Sequence, residues 1–194
     1  MNKLLINTAT PSSELVLLAN GKLYTRRWND IRNGLEHLLP KAKELLLEAN
    51  IKWADLGELI VVIGPGGFMA LRLATSFANT LVQELNVGLK TIDTANYLLA
   101  RINKEENENY VVVLNGGGQF YQFYNPKVGK YELVEKTKLQ GYLPQDCTVI
   151  TEESELDHYN IENFEQLVEK SVNSSWPIEP QYLKEPNICI PKKG

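Results

Sequence analysis

A chain of 194 residues with 43% hydrophobic residues is long enough to bury a core, as one domain or two small ones. Its net charge of -4 argues against a protein that grips nucleic acid by itself, because backbone binding needs a clustered basic surface. The final Lys192-Lys193 pair is too short to supply one.

Three strands open the chain. Lys3 to Ile6 is apolar, Glu14 to Ala19 follows, and Asn20-Gly21 is a type I′ hairpin signal leading into Lys22 to Trp28. A helix is predicted from about Asn33 to Ala49, with Leu35, Leu38, Leu39, Ala42, Leu45, Leu46 and Ala49 on one stripe and Pro40 marking a kink or a late start. Leu59 to Ile63 is a strand, Met69 to Leu85 a helix, Leu89 to Ile92 a strand and Thr94 to Ile102 a short helix. Asn103 to Asn109 is a polar linker and the expected boundary, dividing the chain into residues 1–103 and 104–194. Beyond it, Tyr110 to Leu114, Gln119 to Tyr124 and Lys130 to Lys136 read as strands, and Glu162 to Ser171 as a helix.

The chemistry that stands out is the turn Gly64-Pro65-Gly66-Gly67, set between the apolar run Leu59 to Ile63 and the helix that follows. A strand that ends in glycines and opens a helix points backbone N–H groups outward, the general geometry of an anion cradle. No Lys-Ser/Thr pair follows the glycines and Gly-x-Gly-x-x-Gly is absent, so this is neither a P-loop nor a dinucleotide fingerprint. A tight turn that simply needs glycine, and an anion site at Gly64, Gly66 and Gly67, both remain open.

Gly64-Pro65-Gly66-Gly67-Phe68-Met69-Ala70-Leu71-Arg72-Leu73-Ala74 resembles the Gly-Pro-Gly-Ser-Phe-Thr-Gly-Leu-Arg-Ile-Gly signature of the TsaB (YeaZ) family. Ile6-Asn7-Thr8-Ala9-Thr10 is similar to that family's opening Ile-Asp-Thr-Ala/Ser-Thr, and Glu36-His37-Leu38-Leu39-Pro40 to its His-Ser-Glu-x-Leu-Leu-Pro. Pro180-Gln181-Tyr182-Leu183-Lys184 is similar to its closing Pro-x-Tyr-Leu-Arg. The resemblance implies an α/β protein of the actin-like ATPase, ribonuclease-H-like fold. It would have a βββαβαβα half-module followed by a shortened second half. It also implies a part in making threonylcarbamoyladenosine in tRNA.

Actin-like ATPases end the first strand of each half with an Asp that helps hold a hydrated metal and the nucleotide phosphates. The matching positions here are Asn7 and Asn115, whose uncharged amides are poor ligands for a hard cation. The family's first-helix His falls on Gly34; His37 and His158 are the only histidines and form no metal pair. Ser12-Ser13 has no base within sequence reach, and Asn115-Gly116-Gly117-Gly118 reads as a strand-to-strand turn. The expectation is a chain with no catalytic residue, no metal site and no cofactor.

Apolar residues of the second helix fill about 180° of arc, where one packed stripe needs roughly 100°. Ala70, Ala74 and Ala78 form a small-residue track along it. Packing inside the domain and packing against another chain both explain the excess. The resemblance implies the second, because TsaB-like proteins bundle these two helices with another superfamily subunit. Leu35, Leu38, Leu39, Ala42, Leu71, Ala74, Ala78 and Val82 are then the expected interface. The implied partner is a TsaD-like catalytic subunit, with a TsaE-like ATPase as a further one. The isolated chain would form a homodimer, and tRNA would be met only through the complex. A divergent nucleotide-binding kinase or phosphatase of the same fold, and a homodimeric structural protein, are the alternatives. Cys147 and Cys189 lie outside any zinc or redox spacing, so reduced thiols are expected. Met1 to Ile6 falls short of the roughly 7–15 apolar residues of a secretory segment. No run approaches the roughly 18 of a membrane span, and a cytoplasmic location is expected.

Overall fold

The computed structural model describes residues 1–29, 34–102, 109–156 and 158–183, leaving aside the side chains of residues 34 and 35. Strand β1 (Asn2–Asn7) lies at the centre of a six-stranded sheet, antiparallel to β2 (Ser13–Ala19) and parallel to β4 (Leu56–Val62). β3 (Lys22–Trp28) closes one edge, joined to β2 by a turn in which Asn20 and Gly21 both take positive φ, 53° and 71°. Those angles are the type I′ turn that the Asn-Gly pair predicts. β5 (Gly88–Ile92) extends the sheet beyond β4, and β10 (Val172–Asn173) returns from late in the chain to cover its edge.

The second sheet orders β8 (Lys130–Glu135), β7 (Phe120–Asn125), β6 (Asn109–Asn115) and β9 (Cys147–Ile150). β6 is antiparallel to β7 and parallel to β9, as β1 is to β2 and β4. The two sheets therefore repeat one topology. The sequence pattern predicts neither β9 nor β10. β9 is four residues with two exposed in its middle, so no alternation marks it, and β10 is a two-residue strand created by its pairing with Thr91 and Lys90.

Strand β1 is buried on both sides, which explains its unbroken apolar run. One face of the first sheet (Leu4, Ile6, Leu15, Leu17, Leu59, Val61) packs on α1 (Gly34–Glu48) and α2 (Phe68–Leu85). The other face (Leu5, Val16, Leu18, Ile60, Val62) packs on α3 (Thr94–Ala100) and α4 (Ile161–Lys170), which also meet Val112, Leu114 and Ile150 of the second sheet. α3 and α4 are thus the filling between the two sheets.

Local chemistry sets the helix ends. Asp93 caps α3 by accepting from Asn96 N (3.1 Å). Asn160 and Asn163 cap α4 reciprocally at 2.8 and 2.9 Å, and Asn86 ends α2 in the left-handed conformation. Pro40 lies inside α1 on its exposed side; the expected start at Asn33 and the expected linker over 103–108 lie outside the described residues.

Ala74 and Ala78 are 0% exposed and mark the surface on which α2 meets its own sheet, while Ala70 of the same track is half-buried. Ala78→Arg is expected to cost about 3–5 kcal/mol in urea unfolding, because it buries a charge with no counterion. Leu47→Arg, at a position 79% exposed, should stay within about 0.5 kcal/mol of wild type. Equal unfolding midpoints for the two variants would contradict this packing.

Candidate functional site

The glycine turn is buried at Gly64 and Pro65 and exposed at Gly66 and Gly67. Gly64 has φ +116°, and a Cβ there would meet Gln181 O at 2.6 Å and Leu71 Cδ1 at 2.8 Å. A Cβ on Gly66 would lie 2.5 Å from Ala9 O. The turn's carbonyls are taken: Thr94 N donates to Gly64 O (2.8 Å) and Thr94 Oγ1 to Pro65 O (2.7 Å). Gln181 N donates to Ile63 O (2.7 Å), so the late-chain segment fixes the turn from outside. The same segment is held on α2 by Ile178, whose N–H and C=O both pair with the Asn79 amide at 2.9 Å. Tyr182 stacks on Phe68 with ring centroids 5.0 Å apart.

Asn7 ends β1 and is fully buried. Its Oδ1 accepts from Ala9 N (2.9 Å) and its Nδ2 donates to Thr10 Oγ1 (2.8 Å), so the amide closes the β1–β2 turn. Thr8 Oγ1 donates to Ala70 O (2.7 Å) and ties this turn to α2. Asn115 does the same in the second sheet, its Oδ1 accepting from Gly117 N at 3.0 Å. Its backbone N donates to Glu152 Oε1 (2.6 Å), and Gly117 and Gly118 both take positive φ. A hydrated divalent cation with nucleotide phosphates does not fit these residues. At Asn7 the amide oxygen already accepts from Ala9 N, and neither Asn7 nor Asn115 is itself the carboxylate that such an ion prefers. The Glu152 carboxylate beside Asn115 is engaged by the Asn115 backbone N. Among the described residues no group of three or more His, Cys, Asp or Glu could hold a metal.

Between the halves lies a buried ionic cluster that the sequence reading did not assemble. Glu14, its side chain 4% exposed, receives Arg101 Nη1 at 2.7 Å, Tyr159 OH at 2.8 Å and the Tyr97 hydroxyl on Oε1. Arg27 Nε reaches Oε2 at 2.9 Å. The Arg101 guanidinium lies 3.5 Å from the Tyr159 ring centroid. Burial, reinforced by the Glu14 charge, pushes the Tyr97 and Tyr159 hydroxyls well above the usual tyrosine range. Burial pulls Arg101 down, but its tyrosine and Glu14 neighbours outweigh that and hold it above the ordinary arginine value. Part of the signal was in the sequence: the hairpin register fixed by Asn20-Gly21 sets Glu14 opposite Arg27, and Tyr97 and Arg101 stand one helical turn apart.

The expected interface residues divide. Leu38, Ala42, Leu71, Ala74 and Ala78 are 1% exposed or less and belong to the chain's own core, because α1 and α2 turn their small and leucine-rich stripes onto the sheet. This corrects the expectation that those five face a partner. Leu39 is 44% exposed, Val82 is half-buried, and the Leu35 side chain lies outside the described residues. Leu73, Phe77, Leu81 and Leu85 are half-buried beside Val82, and Leu47 is exposed.

Two sheets of repeated topology with helices between and outside them define an actin-like, ribonuclease-H-like α/β protein. The family model described as TsaD, tRNA N6-adenosine threonylcarbamoyltransferase, matches residues 30–187, and the chain belongs to that tRNA-modification family. A tRNA N6-adenosine threonylcarbamoyltransferase of Clostridioides difficile strain 630 is 28% identical over 113 residues, 55% of this chain and 32% of the relative. One from Gloeothece citriformis strain PCC 7424 is 26% identical over 110 residues, with the same coverage. The chain thus matches about a third of the length of these relatives. YeaZ from Pseudomonas aeruginosa superposes with a TM-score of 0.68 at 18% identity, covering 94% of this chain and 99% of that one. A crystal structure described as an uncharacterized protein with similarity to peptidase YeaZ from Pseudomonas aeruginosa superposes at 0.70, with the same identity and coverage. The fold is the YeaZ fold. No helix among the described residues is long and apolar enough to cross a membrane.

Gly64→Val and Gly66→Val should each cost about 1–3 kcal/mol in thermal or urea unfolding, from backbone strain and overpacking. Gly67, whose added Cβ would have its nearest neighbour at 3.8 Å, should accept alanine within about 0.5 kcal/mol. Wild-type stability for both valine variants would show that the turn is not packed in this way.

The buried tyrosines set a direction with pH. In the unfolded chain their hydroxyls ionise near pH 10, while in the fold Tyr97, Tyr159 and Tyr131 keep their protons to higher pH. The unfolded state then binds fewer protons than the folded one, so stability should fall as pH rises above about 10. Urea midpoints measured from about pH 9 to 11 check this; a midpoint that holds or rises there would contradict the burial of these hydroxyls.

Proposed function

We propose that the chain is a non-catalytic subunit of the complex that makes threonylcarbamoyladenosine in tRNA, docking on a TsaD-like catalytic paralogue. One observation carries the reading: the side chain at the metal-holding position, Asn7, is a buried amide spent on Ala9 and Thr10 of its own turn. The family membership gives the reaction context, and the Glu14 cluster supports it by filling the space between the halves with the chain's own side chains. The glycine turn then serves packing at Gly64 and Gly66 rather than anion binding.

Docking uses the outward faces of α1 and α2, where Leu39 and Leu47 are exposed and Phe77, Leu81 and Val82 are half-buried. Two such helices met by two from a partner make a four-helix bundle, an area on the order of 1,200–2,000 Å². The same face closes on itself as a homodimer when the partner is absent. A TsaE-like ATPase is a further partner of the assembled pair, tRNA is met through the complex, and the complex works in the cytoplasm.

Co-expression with the host's TsaD-like protein is expected to yield a stable heteromer, and the isolated chain should not hydrolyse ATP. Leu39→Glu with Val82→Arg should weaken association by at least about tenfold while circular dichroism stays unchanged. Turnover by the purified chain that Gly66→Val abolishes would sink this reading and favour a nucleotide-dependent enzyme.

A further inference from the structure

At the β3 edge of the first sheet, an open pocket of about 340 Å³ is lined, among the described residues, by Thr25, Arg27, His158 and Tyr159. Thr25 and Arg27 are alternate residues of β3 and point to the same side of the sheet. The segment leading into α4 brings His158 and Tyr159 against them from the second half.

Arg27 is the chemical centre of this pocket. Its Nε is held on Glu14 Oε2 at 2.9 Å, and its side chain is 39% exposed against 4% for Glu14. The carboxylate that anchors it is shared with Arg101, Tyr97 and Tyr159, so Glu14 is saturated and fixed. The anchor uses one edge of the guanidinium only. Nη1 and Nη2 of Arg27 form no hydrogen bond with the described residues, and neither does the Thr25 hydroxyl or the His158 ring. A planar fork held at its Nε edge, beside a hydroxyl and an imidazole, is a donor set matched to an oxyanion.

We propose that this pocket binds a small molecule carrying one carboxylate or phosphate monoester group. Nη1 and Nη2 of Arg27 grip the two oxygens, and Thr25 Oγ1 donates to one of them. The pocket is open to solvent, so it holds the charged end of a ligand and leaves the rest of that molecule in water. The site is independent of docking through α1 and α2, since β3 and the α4 approach supply all four residues.

The test is an amide-shift titration of the full chain with sodium phosphate and, separately, with sodium acetate, at ionic strength fixed with sodium chloride. Saturable shifts centred on Thr25, Arg27 and His158 are expected; saturation by phosphate alone identifies a phosphate ester, and by acetate alone a carboxylate. Arg27→Lys keeps the charge but loses the fork, and should bind about tenfold more weakly. Thr25→Val leaves the Glu14 pair intact and should bind roughly fivefold more weakly, which keeps the test decisive if the lysine variant misfolds. Shifts that never saturate, or that chloride reproduces, overturn the proposal, as does unchanged affinity in the folded variants.

Discussion

A carboxylate out of water must be paired, and Glu14 meets that demand with groups from both halves of the chain. Arg27 comes from the neighbouring strand, Tyr97 from α3, Arg101 from the end of α3, and Tyr159 from the approach to α4. Replacing Arg101 would leave Arg27 as the arginine still paired with this buried carboxylate. The cluster therefore fixes how β2, α3 and the segment before α4 sit together, and with them the face on which the two sheets share one core. It explains why Arg101, a fully buried residue, directly follows the leucines and alanine that end α3.

The second constraint is the meeting of two turns. The β1–β2 turn closes on the Asn7 amide, the strand-to-helix turn closes on Gly64 and Gly66, and Ala9 touches Gly66 too closely for any side chain. Thr94 and Gln181 then occupy the carbonyls that remain. An actin-like protein that handles nucleotide needs charge and space at this junction. Here the side chain at the end of β1 is the uncharged Asn7 amide, and Gly64 and Gly66 leave no room for a side chain of their own.

Most of the fold was legible because its elements carry local signals: the apolar run of β1, the Asn20-Gly21 turn, the leucine stripe of α1 and the glycines before α2. β9 and β10 were not, since a four-residue strand with an exposed middle and a two-residue strand exist only through their tertiary partners. Among the site residues, the loss of carboxylates at Asn7 and Asn115 could be read directly. The direction of the α2 stripe could not. A helix with a broad apolar arc looks alike from sequence whether the excess faces a sheet or a partner, and Ala74 and Ala78 proved to face the sheet. The Glu14 cluster joins residues as far apart as Glu14 and Tyr159, a juxtaposition that no single stretch of sequence states.

The central claim is that this chain docks through the outer faces of α1 and α2 and handles no nucleotide at the turns Asn7 to Glu14 and Asn115 to Gly118. Hydroxyl-radical footprinting, with mass spectrometry of the exposed side chains, measures both places in one experiment. With the TsaD-like partner present, the account predicts protection at Leu39, Leu47 and Phe77, and no change around Asn7 to Glu14 or Asn115 to Gly118 when magnesium and ATP are added to the isolated chain. Protection of those two turns by magnesium and ATP alone, with the α1 and α2 residues unaffected by the partner, would contradict it.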